Sequence, residues 1–222
     1  MANDLTNSII ADVISLFKIP TATIQTLWMR HCEKKIIESR DILFDEIKDG
    51  CFGNMGSDDK VSVLYRYLQA AMNGAARINL RLLAKAINSL ANGEKLLNPI
   101  YANEFNRYAQ VLESLSIEEI QILAKLYDMR EKQKKYIKEH GSPPLGIKGN
   151  YAERFRIGLE FLDTIDREKN IALLCSLLRT GLVYQEGVGA LNSIQYVLSP
   201  FFDEIVKLVD FQDALNKEGN IE

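Results

Sequence analysis

Apolar residues along the first half of the chain recur at spacings of three and four, the period that lines up one face of a helix. Leu5, Ile9, Val13 and Leu16 predict a helix from Asp4 to Phe17, stopped by Pro20. After a cap at Thr21 or Thr23, the stripe Met29, Cys32, Ile36, Leu43 and Ile47, with Ile37 and Phe44 beside it, predicts a second helix to about Lys48. Glycines between Gly50 and Gly56 then interrupt the period. Ser57, with Asp58 and Asp59 in the first turn, opens a helical stretch reaching Asn92. Its ladder is Val61, Leu64, Leu68, Ala71, Ala75, Ile78 and Leu82, which fits one long helix or two bent near Gly74.

Asn98-Pro99 caps a short helix to about Glu113 with the aromatic stripe Tyr101, Phe105 and Tyr108. Ser116 and Glu119 form a capping box, flanked by Leu115 and Ile120, so a helix begins at Ser116 and runs towards Glu139. His140 to Gly149 reads as a loop, Asn150 to Ile165 as a helix, and Arg167 to Thr180 as another that Gly181 ends. The period then changes. Leu182 to Tyr184 and Gln195 to Leu198 are β-prone runs around a glycine-containing loop, which predicts a hairpin. Ser199-Pro200 caps a last helix through Phe202, Ile205 and Val209. The expected fold is therefore mainly all-α: a helical bundle over 1–97, a winged-helix-like domain over 98–211 with one small β-hairpin, and a polar tail over 212–222.

Composition adds bounds. At 222 residues, 47% hydrophobic and 26% charged, the chain can bury a core without metal or disulfide support. The formal net charge of −3 provides no global basic field, and Ser114 to Phe211 carries 13 basic against 14 acidic residues, so any nucleic-acid surface must be local. Cys32, Cys51 and Cys175 are an odd, widely spaced set that suits a reducing compartment. The N-terminus has Asp4 where an export signal needs basic residues, and the longest charge-free run, Gly187 to Phe202, is too polar to span a bilayer. A cytoplasmic location is expected.

The segments Leu177-Leu178-Arg179-Thr180-Gly181-Leu182-Val183 and Tyr196-Val197-Leu198-Ser199-Pro200-Phe201-Phe202, downstream of Tyr101 to Leu126, resemble the bacterial family that includes abortive infection protein alpha. Phe202 stands where that family has glycine, and Tyr67 to Ala71 is a loose substitute for its Trp-Ala-Asn-Leu run. The resemblance spans about half of the chain and implies a bacterial or prophage protein near phage defence. It brings no catalytic residues with it.

Arg77, Arg81 and Lys85 recur every four positions, and no acid falls between Gln69 and Gly93. They are the candidate anion or nucleic-acid face, against the alternatives of a solvated face or one paired with acids of other helices. Arg179 joins them as the cation a DNA-binding hairpin domain would use. A second cluster, Arg130, Lys132, Lys134, Lys135 and Lys138, is explained by the dipole at its helix end. Catalytic chemistry finds no constellation: His31 and Cys32 point about 100° apart on a helix, and neither a C-x-x-C nor a P-loop pattern occurs. No cofactor, metal or small-molecule substrate is indicated. The expected function is a non-enzymatic interaction protein with a protein partner or second copy; the alternative is a winged-helix transcriptional regulator that binds DNA.

Overall fold

Because helical periods dominate the sequence, helices dominate the structure. The computed structural model describes residues 22–47, 56–92, 101–141, 167–188 and 193–219. The helices expected at 4–17 and 150–165, Cys51, and the glycine turn other than Gly56 lie outside the described residues. The elements are α1 (Ala22–Glu46), α2 (Ser57–Met72), α3 (Arg77–Asn92), α4 (Tyr101–Ser114), α5 (Ile117–His140), α6 (Arg167–Leu178), β1 (Val183–Val188), β2 (Ser193–Leu198), α7 (Pro200–Ile205) and α8 (Phe211–Gly219). Among the described residues the strands form a single antiparallel hairpin, with Val183 opposite Leu198 and Val188 opposite Ser193. The fold class is mainly all-α.

The chain divides into two compact units, 1–114 and 115–222. In the first, α1, α2 and α3 pack on one another and α4 closes over α2 and α3. The stretch from Ser57 to Asn92 is two helices, broken where Gly74 takes φ +88°, a left-handed conformation in which a side chain is strained. Leu64, Leu68, Ala71, Ile78 and Leu82 are buried as their spacing requires, whereas Val61 is exposed. Phe105, Ala109 and Leu112 of α4 are fully buried in the same core. Asn79 reinforces the seam by donating from Nδ2 to the Leu112 carbonyl at 2.7 Å, and Arg66 pairs with Glu113. The boundary expected at 97/98 stands beside a division at 114/115, since α4 buries Phe105 and Tyr108 and packs on α2 and α3 of the first unit.

The second unit begins at the capping box. Ser116 Oγ accepts from the Glu119 amide at 3.1 Å while Glu119 Oε2 accepts from the Ser116 amide at 2.8 Å, satisfying two donors that a helix start leaves open. Helix α5 stops at Gly141, whose φ of +72° forms a left-handed cap and whose amide returns to the Ile137 carbonyl. Ile120, Leu123, Leu126, Leu174, Leu177 and Phe202 are fully buried. Ser199 caps α7 by accepting from the Phe202 amide, with Pro200 in the first turn. The last expected helix is short, and residues 212–219 of the expected polar tail belong to helix α8. Asp210 caps it by accepting from the Asp213 amide at 2.9 Å, and Phe211 and Ala214 are buried.

Candidate functional site

The basic stripe of α3 lies against α1, which carries the acids its own sequence lacks. Arg77 donates to Glu38 Oε1 at 2.8 Å. Arg81, 3% exposed, donates to Glu46 Oε1 at 2.6 Å and has Asp45 at 3.6 Å; Lys85 reaches Glu46 Oε2 at 3.0 Å. Four residues span 6 Å of helix, so cations at i, i+4 and i+8 meet carboxylates spread along α1. Burial alone would raise the Glu38 carboxyl, but the hydrogen bonds and charges of Arg77 and Lys35 hold it below the ordinary carboxylate range. Tyr67 of α2, fully buried, closes the cluster by donating to the Ser39 carbonyl at 2.7 Å, and burial keeps its hydroxyl protonated well above the usual tyrosine range. The expected anion face is thus paired with carboxylates of α1: Arg81 is buried against Glu46 and Lys85 largely so, whereas Arg77 keeps 41% of its side chain exposed, and an external anion has to displace a carboxylate to reach Arg81.

Arg179 is likewise engaged. Its Nη2 donates to both oxygens of Glu119, at 3.0 and 2.8 Å, and Ser176 Oγ donates to Oε1 of the same carboxylate at 2.5 Å. Glu119 therefore ties the start of α5 to the end of α6 while also serving its capping box. Hydrogen bonds of this kind compensate a carboxylate that is only 2% exposed.

Four cations of the second cluster, on α5, pair with nearby carboxylates. On α5, Lys132, Lys134 and Lys135 are exposed and face Asp128, Glu131 and Glu139 of their own helix. Arg130 is buried, pairs with Asp203 of α7, and lies with its guanidinium carbon 5.5 and 5.1 Å from the ring centres of Tyr127 and Phe202. Cys32 is a core residue whose thiol is pushed up by burial. Cys175 lies 3.0 Å from the Tyr196 hydroxyl. Burial and that thiol raise the Tyr196 hydroxyl. Among the described residues, no group of three or more His, Cys, Asp or Glu is placed to hold a metal ion, and no helix is long and apolar enough to cross a membrane.

What the sequence did not reveal is an open groove of about 1110 Å³ in the second unit. Residues of α5, α6 and α8 line it, and α6 and α8 both pack on α5. Ile122 and Tyr127 of α5, Leu173 of α6 and Leu215 of α8 line it. Glu118, Asp128 and Glu131 of α5, with Asp210 before α8, add four carboxylates against the two amines of Lys125 and Lys169. The available signal was the spacing of Phe211, Ala214 and Leu215 behind the Asp210 cap, which marks the helix that completes the groove. No family model, curated protein or solved structure matches the chain.

Proposed function

We propose that the chain is a non-enzymatic interaction protein and that the groove along α5, α6 and α8 is its docking surface. The observation that carries this reading is the groove itself, a concave surface on which Tyr127, Leu173 and Leu215 stand among charged and amide groups. Its position in phage defence, and a bacterial or prophage origin, rest on the resemblance of Leu177 to Val183 and Tyr196 to Phe202 to the abortive infection family. A photo-cross-linking amino acid at Gln121 or Gln212, both in the groove, should give an adduct of one defined mass in the native cell, whereas the same group at exposed Asp58 of α2 should not. Adducts that are absent at both groove positions, or identical at all three, overturn the reading.

The second reading, a winged-helix DNA-binding regulator, is favoured by the hairpin that follows α6. Arg179 then has to leave Glu119 for a phosphate. Mobility shift with a salt titration separates the two readings, since phosphate contacts weaken steeply with salt.

A further inference from the structure

Apart from the groove, α1 carries a surface of its own. Ile36, Ile42, Leu43 and Glu46 are buried where α1 packs on α2 and α3, while on the opposite face Ile37 is 52% exposed and Phe44 42%. Seven residues make two turns, so these two apolar side chains stand in line about 10 Å apart along the helix. Half-buried Arg40 and exposed Asp41 lie between them. We propose that this face pairs two copies of the chain, with α1 antiparallel to its counterpart and the two-fold axis between Arg40 and Asp41.

The charges select that arrangement among those that bring the apolar residues together. A parallel pair sets Arg40 against Arg40 and Glu33 against Glu33 of the second copy. An antiparallel pair centred on Ile37 sets Lys34 against Arg40 and Glu33 against Asp41, again like against like. One centred on Phe44 carries Ile37 past Glu46, the end of α1. With the axis between Arg40 and Asp41, each Ile37 meets the Phe44 of the second copy and each Arg40 meets its Asp41. The pair within each chain survives. Arg40 Nε and Nη2 both donate to Asp41 Oδ1, at 3.2 and 3.0 Å, and the other carboxylate oxygen takes the guanidinium of the second copy. Two ion pairs between sequence neighbours thereby become one ring of alternating charges.

Sedimentation velocity of the full chain over a hundred-fold range of concentration tests the pairing. One helix face is a small interface, so the mass should rise from one chain to two as concentration rises. Phe44→Lys should raise the dissociation constant ten-fold or more. Arg40→Asp and Asp41→Arg, each alone, should do the same, because each brings like charges together across the axis. Mixing those two variants, with a fluorophore on one, should restore a mixed dimer, since two acids of one copy then meet two bases of the other. These positions lie at the surface, and circular dichroism checks that every variant melts near the unaltered chain. A chain that stays a monomer throughout overturns the proposal. So does a dimer that Arg40→Asp leaves intact, or single variants that associate with themselves as readily as with each other.

Discussion

Arg81 shows how one residue changes meaning when its surroundings are known. On a helical wheel it is one cation of a polar stripe; in the folded chain it is 3% exposed and meets a carboxylate that is 4% exposed. Arg81→Met should destabilise the first unit by about 3 kcal/mol, because removing one partner of a buried pair strands the other. Lys85 still reaches Glu46 in that variant, which holds the loss to the lower end of the range. Denaturant unfolding measures it. Tyr67→Phe should cost about 1 kcal/mol through the lost bond to the Ser39 carbonyl. Tyr67, with Glu38, sets two limbs of a pH profile. Glu38 titrates lower in the folded chain, so its contribution is present above the unfolded carboxylate value of about 4.3 and is lost as pH falls through the folded value. Tyr67 titrates higher, so its contribution is present below about pH 10 and is lost as pH climbs beyond it. Melting temperature against pH should decline at both ends, and Tyr67→Phe should flatten the alkaline limb.

At the scale of elements, the start of α5 carries more than a helix cap. Glu119 is at once the third residue of α5, closing the capping box, and the carboxylate that holds Arg179 and Ser176 of α6 and its turn. Ser116→Ala should cost about 1 kcal/mol, the usual value of a lost cap. Arg179→Ala should cost about 1–3 kcal/mol, since it weakens the compensation of a buried carboxylate while Ser176 and the Ser116 amide remain. Thermal melts of both variants check this. If Arg179 instead faced DNA, its substitution would lower DNA affinity with little change in melting temperature, so the two measurements together assign the residue.

For the whole molecule, the division at Ser114 and Leu115 means that each unit holds its own core and its own buried charge cluster. Hydrogen exchange should register them separately. Arg81→Met should raise exchange first in α1 and α3, and Arg179→Ala first in α5 and α6, because openings follow locally cooperative units. Exchange that rises uniformly over all helices in either variant would show instead that the two cores open as one.

The helices of this protein were legible because their signals are local. Caps at Ser116 and Ser199, the break at Gly74 and the buried ladder from Leu64 to Leu82 each depend on residues within a few positions of one another. Helix α8 escaped notice because only Phe211, Ala214 and Leu215 mark it within an otherwise polar segment. Phe105 and Tyr108 of α4 announced a buried face, yet which neighbours that helix packs against, α2 and α3, is a property of packing that periodicity does not encode. The cations of α3 and Arg179 could be counted from the sequence; their partners could not. Glu38 and Glu46 lie 39 and 35 residues from Arg77 and Arg81, and Glu119 lies 60 residues from Arg179, distances over which no side-chain pattern carries information about contact. The same holds for the groove, whose lining comes from three helices far apart in the chain. Local chemistry and helical period therefore determined the elements, while pairing of charges and the shape of the surface were decided only when those elements packed, because both depend on which faces are brought together and which are left open to water.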